Sequence, residues 1–284
     1  MPLPPDEPPA GQVRLQVGDV SIVVDCALGG RAVSWCVGGH ELLHRYGDDP
    51  VEHGMYPMAP WAGRVRDNSV LGPQGPQPLP VTYGAWALHG TVLDQHVDVT
   101  HVIHASDRAE VRTVVSTGSS WPWPGRIETS WLLEPRRLTT RLALVVERDR
   151  VPGVLGWHPW FRRRVGNADG MWTMNADAML LRGNGALPSL LAEVPEAGPF
   201  DDAFRVPDGR ATIQWPGVVA LDIVSDGAWF VVFDERPEAI CIEPQSGPPD
   251  GLADRPWHDV AYARPGDPLV LMTTWAMRDL PEGR

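Results

Sequence analysis

The stretch Arg136–Glu147, RRLTTRLALVVE, decides how this chain is read. Leu138, Leu142, Leu144 and Val146 fall on one side of an extended chain, and Thr139, Arg141 and Glu147 fall on the other. A period of two belongs to a strand with one face buried and one face wet. Similar strand-length runs recur at 14–25 (RLQVGDVSIVVD), 126–135 (RIETSWLLEP), 218–225 (VVALDIVS), 228–234 (AWFVVFD), 239–244 (AICIEP) and 267–277 (DPLVLMTTWAM). The 30 prolines and 29 glycines are spread along the chain, so they punctuate many short elements and do not form one linker. The pattern predicts an all-β protein, a large antiparallel β-sandwich. The best candidate for a helix is the short segment LPSLLAEV (187–194).

The 284 residues show no internal repeat and no composition break, which predicts one domain over 1–284 with a flexible tail at 1–11. A formal net charge of −12 argues against a nucleic-acid partner, because phosphate backbones are held by basic surfaces. All 24 basic residues are arginine, so lysine Schiff-base and Walker-type chemistry are excluded. Cys26, Cys36 and Cys241 are too few and too scattered for a disulfide framework. The opening MPLPPDEPPAG lacks the basic and apolar regions of a secretion signal, and no run is long enough to predict a membrane span. A cytoplasmic location is the expectation, and the oligomeric state is not legible.

HELLH (40–44) has the zinc-protease spacing, which works only on a helix that brings both histidines to one face. Here it follows Gly38-Gly39 and runs into YGDDP, a poor setting for a helix. As a strand it would hold His40 and His44 roughly 13 Å apart, too far for one metal. A hairpin strand is the expectation. His96, His101 and His104 are spaced to scatter over both faces of a strand, so no metal site is expected there either.

Five segments carry polar groups where strands give way to loops: GMYPMAPWAGRVRDN (54–68), WALHGTV (86–92), LGWHPWF (155–161), PFDDAF (199–204) and CIEPQSGPPDG (241–251). Read singly, each histidine can be a turn or core residue, and each carboxylate a cap. Together they offer an acid, bases and aromatic platforms. In this order, Arg64, His89, His158, Asp201 and Glu243 resemble the aldose 1-epimerase (galactose mutarotase) family, over about residues 55–252. The resemblance implies a β-supersandwich and the interconversion of the α and β anomers of a free sugar, with no metal and no cofactor. It implies Glu243 as general base and His158 as general acid, with Arg64, His89, Asp201 and Trp160 binding the small-molecule sugar. Where the family commonly has Asn before the arginine and Tyr at the aromatic position, this chain has Gly63 and Trp160.

Three points stay open at this level. Asp201 and Asp202 should point to opposite faces of a strand, and the resemblance favours Asp201 for the site. Trp61, Trp86 and Trp157, like Trp160, adjoin the polar residues and are candidate sugar platforms. The run Arg162–Arg163–Arg164 is either a solvated edge or the clamp of a hexose-6-phosphate 1-epimerase. A glycoside hydrolase with paired carboxylates and a non-catalytic carbohydrate-binding relative are the competing functions.

Overall fold

The computed structural model describes residues 9–72, 74–194 and 197–280. Residues 1–8 of the expected tail lie outside the described residues. Within the remainder of that tail, Gln12 N–H donates to Pro9 O and Cys26 N–H to Gly11 O, which ties the chain into the first hairpin.

Two large antiparallel sheets account for the predicted strands. One has 11 strands, and its middle is formed by Met55–Met58, Gly156–Arg162, Ala239–Gln245, Trp229–Phe233, Asp201–Arg205 and Ala178–Arg182, neighbours in that order. The second has 8 strands and contains Arg137–Val146 between Leu269–Asp279 and Gly125–Glu134. Leu138, Leu142, Leu144 and Val146 are buried, as the alternation in RRLTTRLALVVE requires. They join a core between the sheets in which Trp35 and Phe161 from one sheet meet Trp275 and Trp215 from the other, at ring separations of 6.0–6.2 Å. Offset and edge-on contacts at this range add to the burial of these large rings.

Two expectations are corrected. LPSLLAEV is not helical: Pro188–Ala192 is a strand that pairs with Ala178–Arg182. So short a segment cannot meet the cost of helix nucleation alone, whereas a neighbouring strand supplies its backbone partners at once. Among the four candidate tryptophan platforms, Trp61 and Trp157 are core residues, packed against Trp121 and Trp131 with ring centroids at 5.6 and 4.7 Å. Trp86 lies against Gly185, outside the polar pocket described below.

HELLH is extended. His40–Glu41 pairs with Arg31–Val37 across the Gly38-Gly39 turn. The Glu41 carboxylate accepts from Ser34 Oγ at 2.6 Å and from the N–H groups of Trp35 and Leu43 at 2.9 and 3.0 Å, so it acts as a local brace.

Candidate active site

Parity along the middle strands of the larger sheet builds the site. In Gly156–Arg162, Trp157 and Phe161 point into the core, so His158 and Trp160 point to the opposite face. Gly156 pairs with Gln245 and Trp160 with Cys241, a register that sets His158 opposite Glu243. Tyr56 flanks His158 on one side and Val231 flanks Glu243 on the other. The same face carries Phe233, Asp201 and Arg182, and this row forms one wall and the floor of a pocket of about 220 Å³.

Loops close the pocket. Arg64 and His89 come from two segments that form a short bridge, with Arg64 paired to Leu88. His89 has φ +58°, and Gly90 follows it with φ +84°. A Cβ on Gly90 would stand 1.9 Å from the Ala59 carbonyl oxygen, so only glycine lets the chain pass there. Gly63 (φ +71°) is equally constrained, because a Cβ there would come within 2.7 Å of Pro249. That accounts for glycine before Arg64. The loop after Glu243 is pinned by Asp250, which accepts from Arg66 and Arg255 side chains at 3.1 and 2.9 Å. Arg66 thus supports the loop that carries Asp250, while Arg64 lines the pocket and makes no ion pair among the described residues.

At the floor, His158 Nε2 lies 3.2 Å from Glu243 Oε1. Both side chains are almost fully buried. Burial, reinforced by Asp201, pushes the Glu243 carboxyl well above the usual carboxylate range. Burial, reinforced by His89, holds the His158 imidazole well below its ordinary value. These opposed shifts leave the pair holding one proton over a wide pH range. Gln245, two residues along the same strand face, donates its Nε2 to Glu243 Oε2 at 3.2 Å and fixes the carboxylate's orientation. The His158 ring is sandwiched between Tyr56 at 4.8 Å and Trp160 at 5.4 Å, with interplanar angles of 26° and 11°. Trp160 is itself held by a 2.8 Å hydrogen bond from its Nε1 to Val51 O.

His89 stands edge-on to His158, with ring centroids 5.1 Å apart. Its Nδ1 accepts from the Gly63 N–H at 3.2 Å, so the proton sits on Nε2 and that N–H is available as a donor. Burial and the neighbouring Arg64 charge lower its pKa to about 3. It therefore remains neutral at any ordinary pH.

Asp201 and Asp202 do not divide between the two faces as simple alternation predicts. Arg182 meets both, with Nη1 2.6 Å from Asp201 Oδ2 and Nε 3.3 Å from Asp202 Oδ1, and Nη2 reaches Glu235 at 3.4 Å. They open their strand, where the ladder begins, and one guanidinium draws both carboxylates to the pocket rim. Asp201 is the one whose charge bears on Glu243. At the opposite rim, Arg236 pairs with Glu52 and stacks 5.2 Å above the Trp160 ring.

Glu243, His158, Arg64, His89, Asp201 and Trp160 thus line one pocket. Arg162 and Arg164 are exposed elsewhere, and Arg163 is spent on the carbonyls of Asp234, Arg236 and Ala239. Gln245, Arg182, Arg236 and Glu52 were not singled out by sequence. Gln245 was open to the parity rule, since it shares a strand face with Glu243, whereas the other three sit in unremarkable local contexts.

The architecture matches solved structures closely along nearly its whole length. A galactose mutarotase-like protein from Clostridium acetobutylicum superposes with a TM-score of 0.81 at 14% identity, covering 95% of each chain. This chain has the galactose mutarotase-like fold. A candidate aldose 1-epimerase from Escherichia coli K12 gives a TM-score of 0.82 at 19% identity, over 95% of this chain and 99% of the other. Galactose 1-epimerase from Lactobacillus acidophilus NCFM gives 0.77 at 16% identity, over 95% and 94%. No family model and no curated protein matches the sequence. The likeness therefore establishes the fold, and the chemistry must be argued from the pocket. Among the described residues, no helix is long and apolar enough to cross a membrane.

Proposed function

We propose that the chain is an aldose 1-epimerase that interconverts the α and β anomers of a free aldohexose. The observation that carries this reading is the buried His158–Glu243 pair, 3.2 Å apart on the floor of a monosaccharide-sized pocket. Anomer exchange opens a hemiacetal, so a proton must leave the C1 hydroxyl while another reaches the ring oxygen. In the form with the proton on His158, Glu243 takes the C1–OH proton and His158 protonates the ring oxygen as the C1–O5 bond breaks. The pair still holds one proton afterwards, now on Glu243. Rotation about C1–C2 presents the other carbonyl face, and ring closure reverses both transfers. The cycle conserves protons and electrons.

The other groups fit this chemistry. Burial favours the uncharged form of the pair, and the Gln245 N–H together with incoming sugar hydroxyls favours the carboxylate needed for the forward step. The Nε2–H of His89 offers the ring oxygen or a neighbouring hydroxyl a neutral donor. Asp201 and Arg64 can bind hydroxyls with charge-assisted hydrogen bonds. Trp160 lines the pocket wall, with His158 and Arg236 against its ring.

The alternatives fit less well. Arg182 and Arg236 are already paired with carboxylates and Arg162–Arg164 do not line the pocket, so among the described residues Arg64 is the one lining arginine without an ion pair, and a phosphate dianion would meet it together with Asp201 and Asp202. A glycoside hydrolase needs two carboxyl groups facing one bond, yet Asp201 is tied to Arg182 and the nearest titratable partner of Glu243 is a histidine. A binding module has no use for a buried acid–base pair.

Polarimetry of freshly dissolved α-D-glucose and α-D-galactose tests the reading. The chain should accelerate the decay of optical rotation. Glu243→Gln and His158→Ala should each lower kcat by about 10²–10⁴-fold, the usual contribution of a positioned proton-transfer group. Normal rates in either variant would sink the assignment. Saturable sugar binding without accelerated exchange would favour the binding-module reading.

A further inference from the structure

Beneath the pocket floor lies a third reactive side chain that anomer exchange does not use. Cys241 precedes Glu243 by two residues on the same strand and so shares its face. It is fully buried, in register with Trp160 on one side and Phe233 on the other, whose rings meet edge-on at 5.6 Å. Its Sγ, a His158 ring nitrogen and a Glu243 carboxylate oxygen all lie within 4.8 Å of one another. Among the described residues, Nδ1 of His158 is buried without a hydrogen-bond partner, so no such contact fixes the imidazole's tautomer.

These are ligand types of a tetrahedral zinc site: one thiolate, one imidazole and one carboxylate, two of which line the pocket. Bond lengths of about 2.0–2.1 Å to nitrogen, 2.0–2.2 Å to oxygen and 2.3 Å to sulfur imply edges of roughly 3.3 Å for N···O and 3.5 Å for those to sulfur. The His158–Glu243 separation of 3.2 Å already meets the first. The sulfur edges lie within reach of a side-chain rotation, because the present spread does not exceed 4.8 Å.

We propose that His158, Cys241 and Glu243 form an inhibitory site for zinc and other thiophilic divalent ions, which bind only by taking the acid and the base out of action. Charge and proton balance favour it. The metal-free cluster carries two exchangeable protons, one on the thiol and one shared by the pair. Zn²⁺ displaces both, leaving a thiolate, a carboxylate and a neutral imidazole around the ion, so the buried centre stays uncharged. Mg²⁺ and Ca²⁺, which require oxygen ligands, find no such set here. The active protein is then the metal-free one. The site itself depends only on the geometry, whereas its inhibitory effect rests on the proposed mutarotation.

The test uses the full chain stripped with a chelator and titrated with Co²⁺ without oxygen, followed by polarimetry with added Zn²⁺ or Mg²⁺. One equivalent of Co²⁺ should give a thiolate-to-cobalt charge-transfer band with tetrahedral visible absorption, displaced by Zn²⁺. Zinc calorimetry in two buffers of different ionisation heat should show about two protons released per ion. Zn²⁺ should abolish mutarotation and Mg²⁺ should leave it unchanged. In Cys241→Ala the zinc concentration for half-inhibition should rise by more than the roughly 10–100-fold typical of losing an outer-sphere partner, and the band should vanish. If that variant does not fold, the wild-type band and proton count still decide, with Cys26→Ser and Cys36→Ser as controls that must keep the band. Absence of the band, its persistence in Cys241→Ala, or loss of it in a control would each overturn the site. Metal binding with the expected band in a protein that shows no mutarotation when stripped would keep the site and refute the enzymatic reading.

Discussion

Acidification offers a stringent test of how the pocket is built, and His89 sets its size. In the folded chain this imidazole is nine-tenths buried, its Nδ1 accepts from the Gly63 N–H, and burial beside Arg64 lowers its pKa to about 3. In the unfolded chain it returns to about 6.5. Below that value the unfolded state takes up a proton that the folded state refuses, so stability is full above pH 6.5 and falls as pH drops toward 3. At 1.36 kcal/mol per pH unit, lowering pH from 7 to 5 should cost about 2 kcal/mol through this one residue. The His158–Glu243 pair adds little in that window. With Glu243 raised and His158 lowered it holds one proton when folded, and two ordinary groups together hold about one between pH 4.5 and 6.5. The perturbation is His89→Asn. Asparagine tolerates the left-handed backbone at this position, and its Oδ1 can accept from the Gly63 N–H in place of Nδ1. Urea unfolding of both proteins at pH 7 and pH 5 gives a double difference that cancels the titrating groups His89 does not touch. Wild type should lose about 2 kcal/mol more than His89→Asn. Equal losses in the two proteins would refute the claim that His89 is held neutral by burial beside Arg64.

Two further outcomes follow from the same pocket. The rate of anomer exchange should form a broad plateau against pH that extends beyond both pH 4.5 and pH 6.5, because the opposed shifts of Glu243 and His158 widen the range over which the pair holds one proton; a narrow bell confined between those values, after subtraction of buffer catalysis, would contradict it. Gln245→Leu should lower kcat by roughly 10–100-fold with little change in KM, since a hydrogen bond to an ionised group is worth about 1.5–3 kcal/mol; an unchanged kcat would show that Gln245 does not support the carboxylate.

Much of this was legible in the chain, for a definite reason. Period-two alternation survives in strands such as Arg137–Val146 because each has one face in the core, and parity within LGWHPWF already separates Trp157 and Phe161 from His158 and Trp160. What alternation does not carry is register. Nothing local to His158 or Glu243 states that they lie opposite each other; the pairings Gly156–Gln245 and Trp160–Cys241 do. The same gap hid Arg182, whose only distinction is that the fold places its guanidinium between Asp201 and Asp202. It also explains Trp157, since its adjacency to His158 in sequence places it on the opposite, core-facing side of the strand.

Register therefore decides the chemistry here, and one further step follows from it. A strand pair brings two side chains together at a fixed spacing whatever their identity, so a sheet can hold a catalytic dyad without a loop to position it. In this chain the proposed dyad lies on the inner strands of the larger sheet, braced by Tyr56 and Trp160 against the imidazole and by Gln245 against the carboxylate. The proposed binding groups Arg64 and His89 come from loops, and Asp201 and Arg182 come from strand ends. Loops and strand ends can change while the sheet register stays fixed. On the proposed reading, proton transfer is therefore anchored in the sheet register, whereas substrate preference is set by loops and strand ends.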